Sequence, residues 1–357
     1  MVLAPMDDVT DCAFRQIIAK YGKPDVFWTE FVSADGLAHP TAREKLLVDL
    51  KFGENEHPIV AQIFGSNPDN IREAARLCRE LGFDGVDINM GCPDKSIEKQ
   101  GAGAGMIKNP KLAREVIRAV KEGAGDLPVS VKTRIGYNKN EMETWLREIL
   151  AEDIAVLTVH LRTRKEMSLV PAHWDLMERI VKIRNEMQKE TLILGNGDVV
   201  DVADGKKKCE ETGCDGAMLG RAIFGNPWLF SSSLKDFSGL LHPIGGTFPV
   251  QNPLVKTCNQ MYNFLCGRFT PKAGGMQKNY TSDEIRKKLK VMIEHTKLFE
   301  EMLGQYKNFA IMKKHYKAYV NGFDGAKELR MKLMDAENAT EVEKIANDFL
   351  TSTETKI

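Results

Sequence analysis

Apolar and polar residues alternate along the first two-thirds of the chain in two distinct rhythms. Short runs rich in β-branched residues are separated by longer stretches whose apolar positions recur every three or four residues. The runs are Val2–Pro5, Val26–Phe31, Ile59–Phe64, Gly85–Asn89, Val129–Thr133, Val156–His160, Leu192–Leu194 and Ala217–Leu219. Several are apolar almost throughout, the pattern of strands covered on both faces. Between them, Asn70–Leu81 sets Ile71, Ala74, Ala75, Cys78 and Leu81 on one helical face, and Lys111–Lys121 does the same with Leu112, Val116, Ile117 and Val120. Trp174–Met187 and Asp201–Thr212 repeat the pattern with more charge. Pro110 suits a first helical turn, and Gly82 and Gly123 suit helix ends. Eight such units, spaced by roughly 30 residues, predict a (β/α)8 TIM barrel. A doubly wound open sheet is the alternative. That fold carries a glycine-rich phosphate loop after its first strand, whereas this first strand ends in Ala4-Pro5-Met6.

The rhythm changes near Phe230. Residues 231–280 are rich in Gly, Pro and Ser without periodicity and read as a connector. Asp283–Gly304, Tyr306–Asn321, Asp324–Asp335 and Thr340–Leu350 are helical in pattern, with helix-start chemistry at Thr281–Glu284 and at Ala339–Glu343. The chain therefore divides into a catalytic barrel over 1–230, a connector over 231–280 and a helical domain over 281–357. Net charge is zero, yet residues 268–334 hold 15 Lys and Arg against 7 Asp and Glu, while the remainder holds 35 against 43. A basic helical block beside an acidic body suits a polyanionic partner, and equally a solvated lysine-rich surface.

Seven cysteines (Cys12, Cys78, Cys92, Cys209, Cys214, Cys258 and Cys266) are an odd number without zinc spacing, so reduced thiols in a cytoplasmic protein with no bound metal are expected. No apolar run is long enough to span a bilayer. A monomer is expected. The chain opens almost on its first strand, so no hairpin is expected beneath the barrel floor.

In such barrels the chemistry lies at the C-terminal ends of the strands. The polar residues there are Met6-Asp7-Asp8, Glu30 and Ser33, Gln62, Asn89 and Cys92, Lys132 and Arg134, His160 with Arg162 and Arg164, Asn196-Gly197-Asp198, and Gly220-Arg221. The last two strand ends are the usual phosphate position. Gly197 and Gly220 let backbone amides approach an anion, and Arg221 adds charge. Lys132 follows Pro128-Val129-Ser130-Val131, where a cation is costly without an anionic or polar ligand. Gln62 and His160 stand in similarly apolar runs. Cys92 follows a buried strand in Asn89-Met90-Gly91-Cys92-Pro93, with Gly101-Ala102-Gly103-Ala104-Gly105 soon after. A thiol pinned at that rim serves as a nucleophile or as a general acid, and a free thiol near its ordinary pKa is still mostly protonated at neutral pH.

Taken together these segments resemble the tRNA-dihydrouridine synthases, FMN-dependent barrel enzymes with a C-terminal helical domain that holds tRNA. The matching residues are Ala4-Pro5-Met6 with Thr10-Asp11 and Phe14-Arg15, Gln62-Ile63-Phe64-Gly65, Asp87–Pro93, Gly101–Ala104, Val131–Arg134, Val159-His160 with Arg162–Arg164, Gly195–Asp198 and Gly220-Arg221. Leu161 stands where the family usually has glycine, and 231–280 is longer than usual. The resemblance implies that Pro5, Met6 and Asp7 border the flavin ring, that Gln62, Lys132 and His160 meet its polar edge, and that Asn196, Gly197, Asp198, Gly220 and Arg221 hold the phosphate. Asn89, Arg134 and Arg162 would face the uridine. Reduced flavin would deliver hydride to C6 of the uracil, Cys92 would protonate C5, and NADPH would reduce the flavin. That division of labour is chemically sound, because saturating the bond needs a hydride at one carbon and a proton at its neighbour. The rival readings are a dihydroorotate-dehydrogenase-like enzyme acting on a free pyrimidine, which would not need the basic helices, and a non-catalytic RNA-binding protein on a degenerate barrel.

Overall fold

The structure, a computed structural model, describes residues 1–231 and 280–354. Among these, eight strands form one parallel sheet in the order β1-β8-β7-β6-β5-β4-β3-β2. They are β1 (Val2–Leu3), β2 (Phe27–Ser33), β3 (Ile59–Phe64), β4 (Gly85–Met90), β5 (Val129–Arg134), β6 (Val156–His160), β7 (Leu192–Asn196) and β8 (Gly216–Leu219). β1 and β2 come together at the two ends of this order without a hydrogen-bonded ladder, so the barrel is nearly closed. The first strand is shorter than expected. Ala4 still donates to Leu219 O at 2.8 Å, but Pro5 has no N–H to extend the ladder.

Alternation along the strands sorts side chains into two cores. Ile59, Ala61, Ile63, Val86, Ile88, Val129, Val131, Leu157 and Val159 face outward, into the layer shared with the helices. Val2, Ala4, Trp28, Leu194 and Met218 fill the barrel interior. Leu161 lies fully buried in the outer layer, and its N–H donates to Asn196 O at 2.9 Å.

The outer helices are α1 (Cys12–Tyr21), α2 (Ala34–Ala38), α3 (Pro40–Leu46), α4 (Pro68–Glu80), α5 (Lys95–Lys99), α6 (Pro110–Ala124), α7 (Met142–Leu150), α8 (Met177–Glu186) and α9 (Val202–Thr212). Pro68 and Pro110 occupy first turns, behind Asn67 and Asn109 whose side chains cap the amides that follow. The connector expected over 231–280 lies, apart from its end residues, outside the described residues.

The last segment comprises α10 (Ser282–Leu303), α11 (Met312–Tyr319), α12 (Ala326–Asp335) and α13 (Ala339–Glu354). Thr281 and Glu284 close a reciprocal capping box at the start of α10. The stretch expected as one helix over Tyr306–Asn321 is instead a turn, a short 3-10 segment and α11. Lys307 is drawn out of it to the barrel rim, where Nζ meets Glu30 Oε2 at 2.7 Å and Asp49 Oδ1 at 2.8 Å.

α10 packs on α1 and α13. Phe14 stacks on His295 at 4.9 Å and tilts against His315 at 4.8 Å between ring centres. On the next position of the same helix, Arg15 is buried against Glu56 at 2.6 Å and donates to Thr10 O and Lys51 O. Gly225 has φ +67, and a Cβ there would lie 2.0 Å from Ala318 O, so only glycine permits this approach of barrel and helices. Of the basic residues in the helices, Lys288 and Lys314 are largely buried, with Lys314 at 3.8 Å from Asp8, whereas Lys287, Lys290 and Lys317 are exposed. No described helix is long and apolar enough to cross a membrane.

Candidate active site

The ends of β1 and β5–β8 enclose a cavity of about 230 Å³. Pro5, Met6, Lys132, His160, Arg162, Asn196, Gly197, Asp198, Gly220 and Arg221 all line it, with Ala4, Ser168, Val199 and Met218. Gln62, Asn89, Cys92, Arg134 and Asp7 lie outside this lining. Asp7 is exposed at the rim, where it, Asp8 and Glu30 bring carboxylate oxygens within 4.8 Å of one another.

On the β7–β8 side, Asp198 organises the cations. It accepts from Arg162, from Arg221 Nη2 at 2.6 Å and from Ala172 N–H at 2.9 Å. Partial burial opposes its charge, but Arg162, Ala172 and Arg221 together hold its carboxyl below the usual range. Gly197 has φ +126, and a Cβ there would stand 2.8 Å from Ala172 Cβ, so the turn requires glycine. The Asn196 amide is used internally, donating to Met218 O at 2.8 Å. Arg162 Nη1 donates to His160 Nε2 at 3.1 Å. Burial, then the charges of Arg134, Lys132 and Arg162, push His160 well below its ordinary pKa. It is therefore neutral, with its proton on Nδ1.

Across the cavity, burial and the Arg134 charge push Lys132 down to about 8, opposed by Asp87 and Cys92. Lys132 Nζ has no hydrogen-bond or ion-pair partner among the described residues. A cation drawn into the barrel wall without a paired anion is costly, and it fits a ligand that presents an electron-rich ring edge. With the Asp198-bound arginines and the Gly197 turn on the opposite side, the donor set suits a flavin mononucleotide.

The Cys92 turn is held from every side. Asn89 Oδ1 accepts from Gly91 N–H at 3.1 Å and Cys92 N–H at 2.9 Å. Cys92 O accepts from Ala104 N–H at 2.9 Å, and Arg134 Nε donates to Gly91 O at 2.7 Å. Arg164 pairs with both oxygens of Glu98 at 2.6 Å and reaches Pro93 O. Arg134 also donates to Thr163 O and Met167 O, so it ties the β4 and β6 loops together rather than lining the cavity. Gly103 has φ +56, and a Cβ there would lie 2.7 Å from Cys92 O. The Cys92 side chain packs against Phe64, Ile97 and Ala102. Burial pushes its thiol up to about 11, so Sγ keeps its proton at neutral pH.

Asp87 and Ser130 were not singled out from the sequence, although both face the barrel interior. Their signal is the period of two: each stands two positions before a polar residue already noted, Asn89 and Lys132.

Parallel strands around a mouth lined by a lysine unpaired among the described residues, a neutral histidine and paired arginines, with a hydrogen-bonded thiol turn after the neighbouring strand, define a barrel enzyme with its site at the strand ends. The family described as dihydrouridine synthase (Dus) matches residues 2–274 and 275–354. A probable tRNA-dihydrouridine synthase of Staphylococcus aureus (strain MRSA252) is 37% identical over 98% of this chain and 92% of its own length. Probable tRNA-dihydrouridine synthase 2 of Bacillus subtilis (strain 168) is 39% identical over 98% and 93%. The chain belongs to the dihydrouridine synthase family. Among solved structures, morphinone reductase in complex with tetrahydroNAD aligns with 64% of this chain and 84% of its own at 14% identity and a TM-score of 0.46.

Proposed function

We propose that this protein is a tRNA-dihydrouridine synthase that saturates the C5=C6 bond of a uridine in tRNA, with Cys92 as the proton donor. The observation that carries the reading is a thiol kept protonated by burial and fixed in a fully hydrogen-bonded turn after β4, the strand paired with β5, whose Lys132 lines a cavity suited to a flavin. FMN, when bound, supplies the hydride for C6 and is recharged by NADPH.

The chain's own residues do the rest. Lys132 and His160 face the polar ring edge, Pro5 and Met6 border the ring, and Arg162 and Arg221, aligned by Asp198, flank the phosphate with Gly197 and Gly220. Asn89 orients the base and Cys92 Sγ gives its proton to C5, after which the thiolate recovers a proton from solvent. The uridine must leave its stack to enter the mouth. The exposed lysines of the helical region support a grip on the RNA backbone. This assigns residues 1–230 to catalysis and 281–357 to RNA binding, in a cytoplasmic, monomeric enzyme.

Purified protein is expected to be yellow and to bleach on addition of NADPH. Cys92→Ala is expected to keep the flavin and its bleaching while losing dihydrouridine formation on tRNA. Full turnover by that variant would remove Cys92 from the acid role, and protein that never takes up flavin on reconstitution would overturn the enzymatic reading.

A further inference from the structure

Below the flavin-facing level of the barrel, β3, β4 and β5 place Gln62, Asp87 and Ser130 side by side in register. Asp87 is wholly buried. One carboxylate oxygen accepts from Ser130 Oγ, and the other accepts from Gln62 Nε2 at 2.7 Å. The indole N–H of Trp28 lies close to the same carboxyl without completing a hydrogen bond.

The contact with Gln62 has a direction. An amide has two nearly isosteric orientations, and its neighbours decide between them. With Nε2 turned to an acceptor-only carboxylate, Gln62 must turn Oε1 to Asn89, whose Nδ2 donates to it at 3.1 Å. Asn89 must then turn Oδ1 to the N–H groups of Gly91 and Cys92. The reversed orientation would set the Asn89 NH2 against two part-buried N–H groups and break both hydrogen bonds. We propose that Asp87 is a positioning residue: it sets the direction of the Gln62–Asn89 amide chain and so fixes the backbone, and with it the thiol, of Cys92. The inference rests on the proton-donor reading of Cys92.

Two substitutions at Asp87 separate direction from charge. Asp87→Asn keeps an acceptor for Gln62, because its NH2 can turn to Ser130 Oγ, and preserves the chain without the charge. Asp87→Ala removes the acceptor and frees both amides. In Asp87→Ala holoenzyme, NADPH bleaching is expected to proceed as in wild type, with kcat for dihydrouridine formation roughly 10- to 100-fold lower, the scale of a misplaced reacting group, and KM for tRNA within about two-fold. Iodoacetamide labelling of Cys92, scored by peptide mass, is expected to change in rate in Asp87→Ala and to return to the wild-type rate in Asp87→Asn. If Asp87→Ala gives no soluble holoenzyme, Asp87→Ser, whose hydroxyl stops short of Gln62, replaces it with the same expectations.

Wild-type labelling and wild-type kcat in the acceptor-free variant would overturn the relay. So would equal defects in the acceptor-free variant and Asp87→Asn, because charge and not direction would then be what matters. Wild-type protein that forms no dihydrouridine would instead sink the functional reading. The labelling comparison needs no turnover, so the two failures are distinguishable.

Discussion

Lys132 holds a positive charge in the inner wall of the barrel with no carboxylate among the described residues in hydrogen-bond contact, and its affinity for a proton follows from that. Burial and Arg134 bring it to about 8. A ligand edge rich in electrons binds the charged form better, so ligand binding raises this pKa. FMN affinity should then be full below about pH 8 and weaken as pH rises above it, by at most tenfold per unit. Titrating apoprotein by flavin fluorescence from pH 7 to 9.5 checks this, and Lys132→Met should bind more weakly with a flatter profile. Lys132, Gln62 and His160 were legible in the sequence because each is a polar residue inside an apolar run. Asp87 and Ser130 satisfy the same criterion one layer deeper, but they lie mid-strand and not at strand ends. Arg134 stands at a strand end, yet its bracing contacts depend on carbonyls from two loops that no spacing brings together.

The turn after β4 shows how elements share one task. α5 and the short 3-10 segment Gly103–Lys108 close over Cys92, and Gly103 is the contact point. Gly103→Ala puts a Cβ against Cys92 O in a left-handed conformation, a cost of about 1–3 kcal/mol. The expected result is a lower Tm and a lower kcat with flavin retention intact, measured by thermal melts, turnover and flavin absorbance on the same preparation. Wild-type turnover would mean that the turn tolerates displacement. Strand–helix alternation made most of the barrel legible, because period two and period three to four differ sharply. α1, α7 and the short α2, α3 and α5 escaped, although Trp145, Leu146 and Ile149 of α7 lie on one buried face. The break at Lys307 escaped as well, since the carboxylates that pull it out are more than 250 positions away in the chain.

At the scale of the whole molecule, barrel and helices meet across an aromatic seam of Phe14, His295 and His315. Both imidazoles are fully buried. Burial pushes His295 down to about 3 and, with the His295 and Lys314 charges, His315 well below its ordinary value. The unfolded chain takes up protons on both below about pH 6.5, while the folded chain takes them up only further down. Stability is therefore retained above that pH and lost as pH falls below it, at about 1.4 kcal/mol per unit per histidine. Melting temperatures from pH 7.5 to 5.5 should fall steeply, and His315→Phe should shallow the slope. An unchanged slope would place the acid sensitivity elsewhere.

The rim contact of Lys307 bears on selection. Its ammonium is clasped by Glu30 and Asp49 beside the mouth, while α10 and α11, on either side of it, carry the exposed lysines. On the proposed reading, anchorage and opening are the two jaws of a caliper whose span is set by this clasp together with the aromatic seam and the close approach at Gly225. The uridine chosen is then the one lying at that span on the folded RNA, whatever bases surround it.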